Sequence, residues 1–239
     1  MTIDRIHQEV KNRWNKLNSN HKPDFSPAYL DDCINKAQED YVDIFYSGNN
    51  SKQYKFGFEV TQQRIDMLQT LVVGLDSYDI DAGTDVYYMP VSLLTDYRYF
   101  LRGSLLVTGC SERVPLTMVR LNDVDTKLKD ENTKPSKKWN RALVSIFENK
   151  INYYADGIPT NVKLNYLKDP VKVFSGGYDS LEYLFGELTA YNSADPKVTS
   201  EIDPSFHDIL VDMTVQYIAR IFEDQTKYSL TERDVINKI

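Results

Sequence analysis

Residues 171–180 contain the residue types and the spacing that could hold a phosphate group. An apolar stretch ends there in a serine, two glycines, an aspartate and a second serine: Ser175, Gly176, Gly177, Asp179 and Ser180. When such a turn joins a strand to a helix, its backbone N–H groups can surround a pyrophosphate, and the helix N-terminus faces the negative charge. These five residues would then bind the phosphates of a nucleotide.

The pattern resembles the SGGxDS signature of the PP-loop ATP pyrophosphatase family. The resemblance implies an ATP-using enzyme built on parallel strand–helix units, because the loop functions only in that architecture. In this sequence the residues before the motif have an antiparallel pattern, and a helix rather than further buried strands follows it. We therefore predict that residues 176–199 form a connector, with an ATP-using enzyme at residues 175–180 as the alternative.

No other group of residues has the spacing of a catalytic or metal site. The three histidines lack a histidine or cysteine at ligand spacing, and no serine lies in a Gly-x-Ser-x-Gly turn. Five acidic residues fall on one predicted helix opposite its apolar stripe, which is typical of a solvated face rather than of metal ligands. We predict that the protein is not an enzyme and has no catalytic, cofactor or metal site; the residues considered are His7, His21, His207, Asp31, Asp32, Glu39, Asp40 and Asp43.

A polar, lysine-rich stretch, residues 122–141, is the candidate contact surface, and we name it the basic segment. It is too polar for a core and is predicted to project as a loop, with a helical turn starting near Asp123. Its cations could touch phosphate and its tryptophan could stack on a base, which makes a DNA-contacting accessory protein a further alternative function, although such a loop is more often only solvated. The candidate residues are Lys127, Lys129, Lys134, Lys137, Lys138, Trp139 and Arg141.

The charge balance of the 239 residues limits the classes of partner. A formal net charge of −7 argues against a protein that coats duplex DNA through a basic face, because phosphate binding depends on lysine and arginine. No stretch approaches the roughly 20 apolar residues of a membrane helix, and the first residues lack the apolar block of a secretion signal. We expect a soluble protein made in a cytoplasm, with Cys33 and Cys110 as small buried apolar residues.

Periodic apolar residues predict helices near both ends of the sequence. Residues 3–17 carry them at three- and four-residue spacing, and a second helix follows the cap-and-proline pair Ser26 and Pro27. A shorter helix is predicted at residues 61–73. The last helix, residues 204–224, has Asp203 as its N-cap, and its apolar stripe needs partners, for which the first two helices are the candidates.

Between these helices, short β-branched and aromatic runs alternate with turn residues and predict a sheet. Strands followed by a closing helix indicate an α+β fold. We predict a helical bundle from residues 1–80 and 200–239, and an antiparallel β region at residues 81–175 that is inserted into it and carries the projecting basic segment. The predicted strands are residues 86–89, 97–107, 114–121, 142–147, 151–154 and 162–167.

Three stretches of the sequence resemble the head-to-tail connector, or adaptor, proteins of short-tailed phages. They are FSPAYLDDCINKAQEDY at residues 25–41, VKLNYLKDP at residues 162–170 and IDPSFHDILVD at residues 202–212. The similarity is to the tail tubular protein A group, and most of all to the ring proteins of crAss-like phages. It extends over nearly the whole chain.

The resemblance implies a structural virion protein. In that family the helices pack side by side in a ring, usually a dodecamer, beneath the portal vertex, and the β region forms the lower or inner surface. The expected partners are the portal protein, the other ring proteins of the neck and tail, further copies of the chain, and viral DNA in transit. Neither a cofactor nor a membrane is expected, and the chain would be made in the host cytoplasm and reside in the virion.

Overall fold

The computed structural model describes residues 1–17, 25–47, 66–82, 87–110, 112–176 and 196–221. In these residues the chain is α+β, with four α-helices and one mixed β-sheet. Contacts between residues divide it into two compact units. Unit 1 combines Met1–Leu71 with Pro170–Ile239, and unit 2 is Val72–Asp169.

The helices are α1 (Ile3–Leu17), α2 (Pro27–Ser47), α3 (Val124–Lys129) and α4 (His207–Ile221), and all but α3 lie in unit 1. Both predicted caps are present. The Ser26 hydroxyl accepts a hydrogen bond from the Tyr29 N–H at 3.3 Å, and the Asp203 carboxylate accepts one from the Ser205 N–H at 2.8 Å. The predictions of α1, α2 and α4 are confirmed, because the caps and the apolar spacing that indicate a helix are local in the sequence. A 3-10 turn, Pro204–Phe206, comes before α4.

Helix α4 is buried around most of its circumference, not only along the predicted apolar stripe. It contacts both α1 and α2. Its buried residues Asp212 and Thr214 have partners: Arg13 of α1 donates a hydrogen bond to the Asp212 carboxylate, and the Thr214 hydroxyl donates to the Leu210 carbonyl at 2.8 Å. Arg13 also donates to the carboxylate of the exposed Asp208. At the other end of α4, Ile221 has the spacing of the apolar stripe but is 49% exposed.

One face of α2 holds an extended stretch of chain, residues 171–175, by side-chain hydrogen bonds. Asn35 accepts a bond from the Val173 N–H at 2.7 Å and donates one to the Val173 carbonyl at 3.3 Å. One helical turn earlier, the Asp31 carboxylate accepts a bond from the Ser175 N–H at 2.7 Å. The side chains of α2 therefore satisfy backbone groups of this stretch, as a neighbouring strand would.

The contact continues along the helix at Gln38, whose amide donates to the Val171 carbonyl at 3.4 Å. Asp31, Asn35 and Gln38 have the spacing of one helix face, and they meet alternate residues of the extended chain. On the other edge of that chain, Phe174 exchanges backbone hydrogen bonds with Val198 in an antiparallel bridge. We refer to these three α2 residues as the polar face of α2.

The sheet in unit 2 curls until its two ends meet. Its strand order is β1-β8-β4-β5-β6-β7-β3-β2, so β1 and β2 are at opposite ends although only Ile80 separates them in sequence. If β1 and β2 are counted as one bent strand, the sheet has seven strands instead of eight. The strands are β1 (Val72–Asp79), β2 (Asp81–Ala82), β3 (Tyr87–Pro90), β4 (Tyr97–Val107), β5 (Val114–Met118), β6 (Ala142–Phe147), β7 (Lys150–Tyr154) and β8 (Pro159–Lys168).

Strand β1 corrects the predicted start of the β region at residue 81. In the described part of the predicted third helix, residues 66–67 are helical and a 3-10 turn, Gln69–Leu71, follows. The strand then starts at Val72, which pairs with Leu167 of β8. The remainder of that predicted helix, residues 61–65, lies outside the described residues. The apolar spacing suited a helix, and the non-local pairing with β8 outweighed it.

The prediction of an entirely antiparallel region is wrong at one pair of strands. Strands β5 and β6 are parallel, with Leu116 opposite Ala142 and Met118 opposite Val144. Parallel neighbours require a crossover connection, usually through a helix. The basic segment is that crossover, and α3 is its helix.

Alternate residues of the strands form one buried core in unit 2. The predicted strands at residues 97–107, 142–147, 151–154 and 162–167 are confirmed within a few residues at their ends, and Val86 of the first predicted run lies outside the described residues. Of the two cysteines, only Cys33 is fully buried, and burial raises the pKa of its thiol to about 12. The core residues of unit 2 include Leu105, Val107, Val114, Leu116, Ala142, Val144, Ile151, Tyr153, Val162 and Leu164.

Candidate functional site

The basic segment lies against the sheet of unit 2 and is not a plain projecting loop. It begins with a 3-10 turn, Leu121–Asp123, and continues into α3. The predicted helical turn near Asp123 is therefore confirmed. Val124 of α3 is buried with Val119 and Leu143, and Leu128 packs against them. Leu143 alternates along β6 with the core residues Ala142 and Val144, so α3 covers the opposite face of that strand.

Hydrogen bonds fix the turn that follows α3. The Asp130 carboxylate accepts bonds from the Asn132 N–H at 3.0 Å and from the Thr133 hydroxyl at 2.9 Å, and these bonds lower the pKa of Asp130. The Arg141 guanidinium donates to the Asn132 carbonyl, and Arg141 also exchanges two backbone bonds with Ser136 at 2.9 Å and 3.0 Å. The segment is therefore ordered before any partner binds.

Lys137 anchors the far end of the basic segment. Its backbone N–H donates to the Asp156 carboxylate at 3.2 Å, and its ammonium donates to the Thr108 carbonyl at 3.0 Å. Gly157 has a φ of 123°, and a Cβ atom there would lie 2.8 Å from the Lys137 Cε atom. Of the seven predicted contact residues, Lys137 and Arg141 thus have mainly structural contacts.

Trp139 is the most exposed large apolar side chain of the described residues, at 68% exposure. The Lys138 ammonium lies 5.4 Å from the centroid of its ring, within cation–π range. Lys129 and Lys134 are also exposed. The tip of the basic segment therefore presents an aromatic side chain and cations to the surroundings.

A cavity of about 640 Å³ opens between the basic segment and β5, and we name it the basic cavity. Three cations, Arg120, Lys127 and Arg141, line it together with Asp123 and with apolar atoms of Met118. Arg120 was not predicted as a contact residue, because the sequence placed it in a strand at residues 114–121. The strand ends at Met118, which frees Arg120 to line the cavity.

Lys134, another of the predicted contact residues, lines a second cavity and not the basic cavity. That cavity has a volume of about 530 Å³ and includes three tyrosines and one carboxylate among its lining residues: Tyr87, Tyr153, Tyr154 and Asp156. The structure therefore divides the predicted contact residues between two cavities, a structural anchor and the exposed tip. Spacing in the sequence contains no signal for that division.

The described part of the glycine-rich motif consists of Ser175 and Gly176, and Gly177, Asp179 and Ser180 lie outside the described residues, as does most of the predicted connector. Within the described residues the chain leading to the motif has an antiparallel bridge to Val198, and no parallel strand pairs with it. The Ser175 N–H already bonds to a carboxylate, which is an unfavourable neighbour for a pyrophosphate.

That carboxylate, Asp31, was predicted to be solvated and is 1% exposed. One of its oxygens accepts the Ser175 N–H, and the other lies 2.7 Å from the His7 Nε2 atom of α1. Asp32 beside it is exposed, as predicted. Among the residues that the structure describes, no three His, Cys, Asp or Glu side chains form a group that could hold a metal ion.

The sequence matches no protein-family model and no curated protein. Among the helices in the described ranges, none combines the length and the apolar character needed to cross a membrane.

Proposed function

We propose that this chain is a structural adaptor subunit of a short-tailed phage. In this proposal it forms a ring between the portal vertex and the tail, and viral DNA passes through the central channel. The terminal helices would form a helical bundle that contacts the portal and the neighbouring copies, with the β region inserted between them. That region would present its basic segment to the next tail component or to the channel.

The observation that carries the proposal is the exposed Trp139 on a segment that is already ordered. Tryptophan is enriched among the residues that contribute most to protein–protein binding, and a rigid segment loses little entropy when a partner binds. Hydrogen bonds of Asp130, Arg141 and Lys137 hold this segment in place. Such a surface suits an assembly protein whose function is contact.

The charge of the chain is compatible with a channel that DNA must leave quickly. At a net charge of −7, the average surface repels phosphate, and each added phosphate contact would increase affinity and slow transit. Cations are nevertheless grouped on the basic segment. We therefore assign that segment to protein contact rather than to DNA retention.

The test is the binding of the purified chain to the portal ring, observed by mass photometry and negative-stain electron microscopy. We expect closed rings seated on the portal. Trp139→Ala should weaken portal binding about tenfold, because a tryptophan that becomes buried in an interface contributes more than about 1 kcal/mol. Phe147→Ala is the matched control, since Phe147 is also in unit 2 and is 44% exposed.

A stable small dimer that ignores the portal would contradict the adaptor proposal. In that case a titration with ATP and magnesium would follow, because a ligand selective for the folded state raises the unfolding temperature. A clear increase that is lost in Ser175→Ala would favour the nucleotide-dependent enzyme instead.

A further inference from the structure

The basic cavity contains two cations without an ion-pair partner among the described residues. Arg120 is exposed at the end of β5, and Lys127 is half-buried on α3. Neither side chain forms a hydrogen bond or salt bridge with another residue in the described ranges, although the Lys127 ammonium also attracts the Asp130 carboxylate through space. Arg141, the third cation, is held at the wall by its bond to the Asn132 carbonyl. Three positive charges around one cavity favour an anionic ligand.

The shape of the site argues against a nucleic-acid backbone. A protein that binds a strand of phosphates arranges its cations in a stripe along the strand. Here the cations line a single recess of about 640 Å³ rather than a stripe, and Asp123 lines it with them. The same carboxylate can accept a hydrogen bond from a peptide N–H.

The apolar lining indicates what accompanies the anionic group. Met118, at 45% exposure, lies at the cavity beside the buried Leu143. An apolar side chain of a ligand would cover these atoms while its carboxylates pair with Arg120 and Lys127. Arginine binds carboxylates in a bidentate manner, and apolar burial adds to the affinity.

We propose that the basic cavity binds an acidic segment of a partner protein, in which glutamate or aspartate side chains alternate with apolar ones. The proposal rests on the assembly function proposed above, since it assigns a second contact surface to the adaptor. It adds the chemistry of the partner, which Trp139 alone does not define.

The test uses the full chain and a fluorescein-labelled peptide in which glutamate and leucine alternate, with fluorescence anisotropy as the readout. Arg120→Gln and Lys127→Gln should each weaken binding about three- to tenfold, because each removes one charge pair. Asp123→Asn should strengthen it, since a like charge is removed. Affinity should fall with added salt.

Lys129→Gln is the matched control, because Lys129 is an exposed lysine on the same helix that does not line the cavity. It should bind the peptide as the wild type does, and all variants should unfold at the same temperature. Equal weakening by Lys129→Gln, or equal binding of a peptide with glutamine in place of glutamate, would overturn the proposal.

Two further outcomes distinguish a peptide site from a nucleic-acid site, and the peptide site from the adaptor function. A labelled oligo-dT that binds more tightly than the peptide and is lost in the same two variants would make the cavity a nucleic-acid site and overturn the proposal. If the chain binds the peptide but not the portal, the cavity proposal is supported and the adaptor function is contradicted. If the chain binds the portal but not the peptide, the adaptor function is supported and the cavity proposal is overturned.

Discussion

His207 is a buried histidine whose two ring nitrogens both have partners. Its Nε2 atom donates to the Ile202 carbonyl at 2.8 Å, and its Nδ1 atom lies 2.8 Å from the Met1 amino group. Burial is the largest effect and lowers the pKa of the imidazole. The bond to the Ile202 carbonyl raises the pKa, the nearby amino group lowers it, and Asp203 and Asp208 raise it, with a net decrease. The folded protein therefore disfavours protonation of this histidine relative to the unfolded chain.

The free energy of unfolding should decrease as the pH falls below about 6.5, the ordinary pKa of histidine. The unfolded chain gains the proton there more readily than the folded chain, whose pKa is lower, and well above that pH this histidine makes no pH-dependent contribution. Urea unfolding between about pH 7.5 and about pH 5 measures the slope. In His207→Gln the decrease should be smaller; an unchanged slope would assign the pH dependence to other groups.

Asp31 is buried although the acidic pattern around it predicts a solvated side chain. It lies beside Asp32 in a run of acidic residues, and the two differ in exposure because only Asp31 faces α1 and the chain at Ser175. A buried carboxylate is tolerated when donors surround it. The sequence contains the donors His7 and Ser175, but nothing in the spacing brings either of them to Asp31.

At the scale of elements, the polar face of α2 makes the hydrogen bonds to the backbone of residues 171–175 that a neighbouring strand would otherwise make. Asn35 makes both bonds to Val173, so Asn35→Ala should lower the free energy of unfolding by about 2 kcal/mol, because two backbone groups lose their partners. The amide of Val173 should also exchange with solvent faster, which hydrogen exchange measured by NMR will detect.

Lys36→Ala is the control for this prediction, since the neighbouring Lys36 is exposed and pairs with Glu39 at the surface. It should change stability by less than about 0.5 kcal/mol. Exchange at Val173 that is equally fast in both variants would show that Asn35 does not hold the extended chain.

Helices were more predictable from the sequence than the order of the strands. The caps Ser26 and Asp203 and the apolar periodicity are local signals, so they placed α1, α2 and α4. The parallel pair of β5 and β6 depends on a crossover that packs through Val124 in an otherwise polar stretch. In the candidate site, the basic residues were predictable by type, whereas the addition of Arg120 depended on where β5 ends.

At the scale of the whole molecule, unit 2 has a core of its own. Its sheet curls so that the single bend at Ile80 joins both ends of the strand order, and one buried cluster extends through the strands from β3 to β8. Residues 72–169 expressed alone should therefore fold. Circular dichroism should show a β-rich spectrum with one cooperative thermal transition.

A fragment of residues 72–169 that gives no cooperative transition would contradict this prediction. Tyr153→Ala is a useful comparison, because Tyr153 is 1% exposed in the core and its loss should lower the transition temperature strongly in both the fragment and the full chain.

The pairing of Val72 with Leu167 means that unit 2 leaves the rest of the chain and returns to it at almost the same point. Paired residues on antiparallel strands have Cα atoms only about 5 Å apart. A short turn could therefore replace the whole unit without stretching the chain on either side. A different domain whose two ends lie equally close together could occupy the same position and leave the flanking chain unchanged.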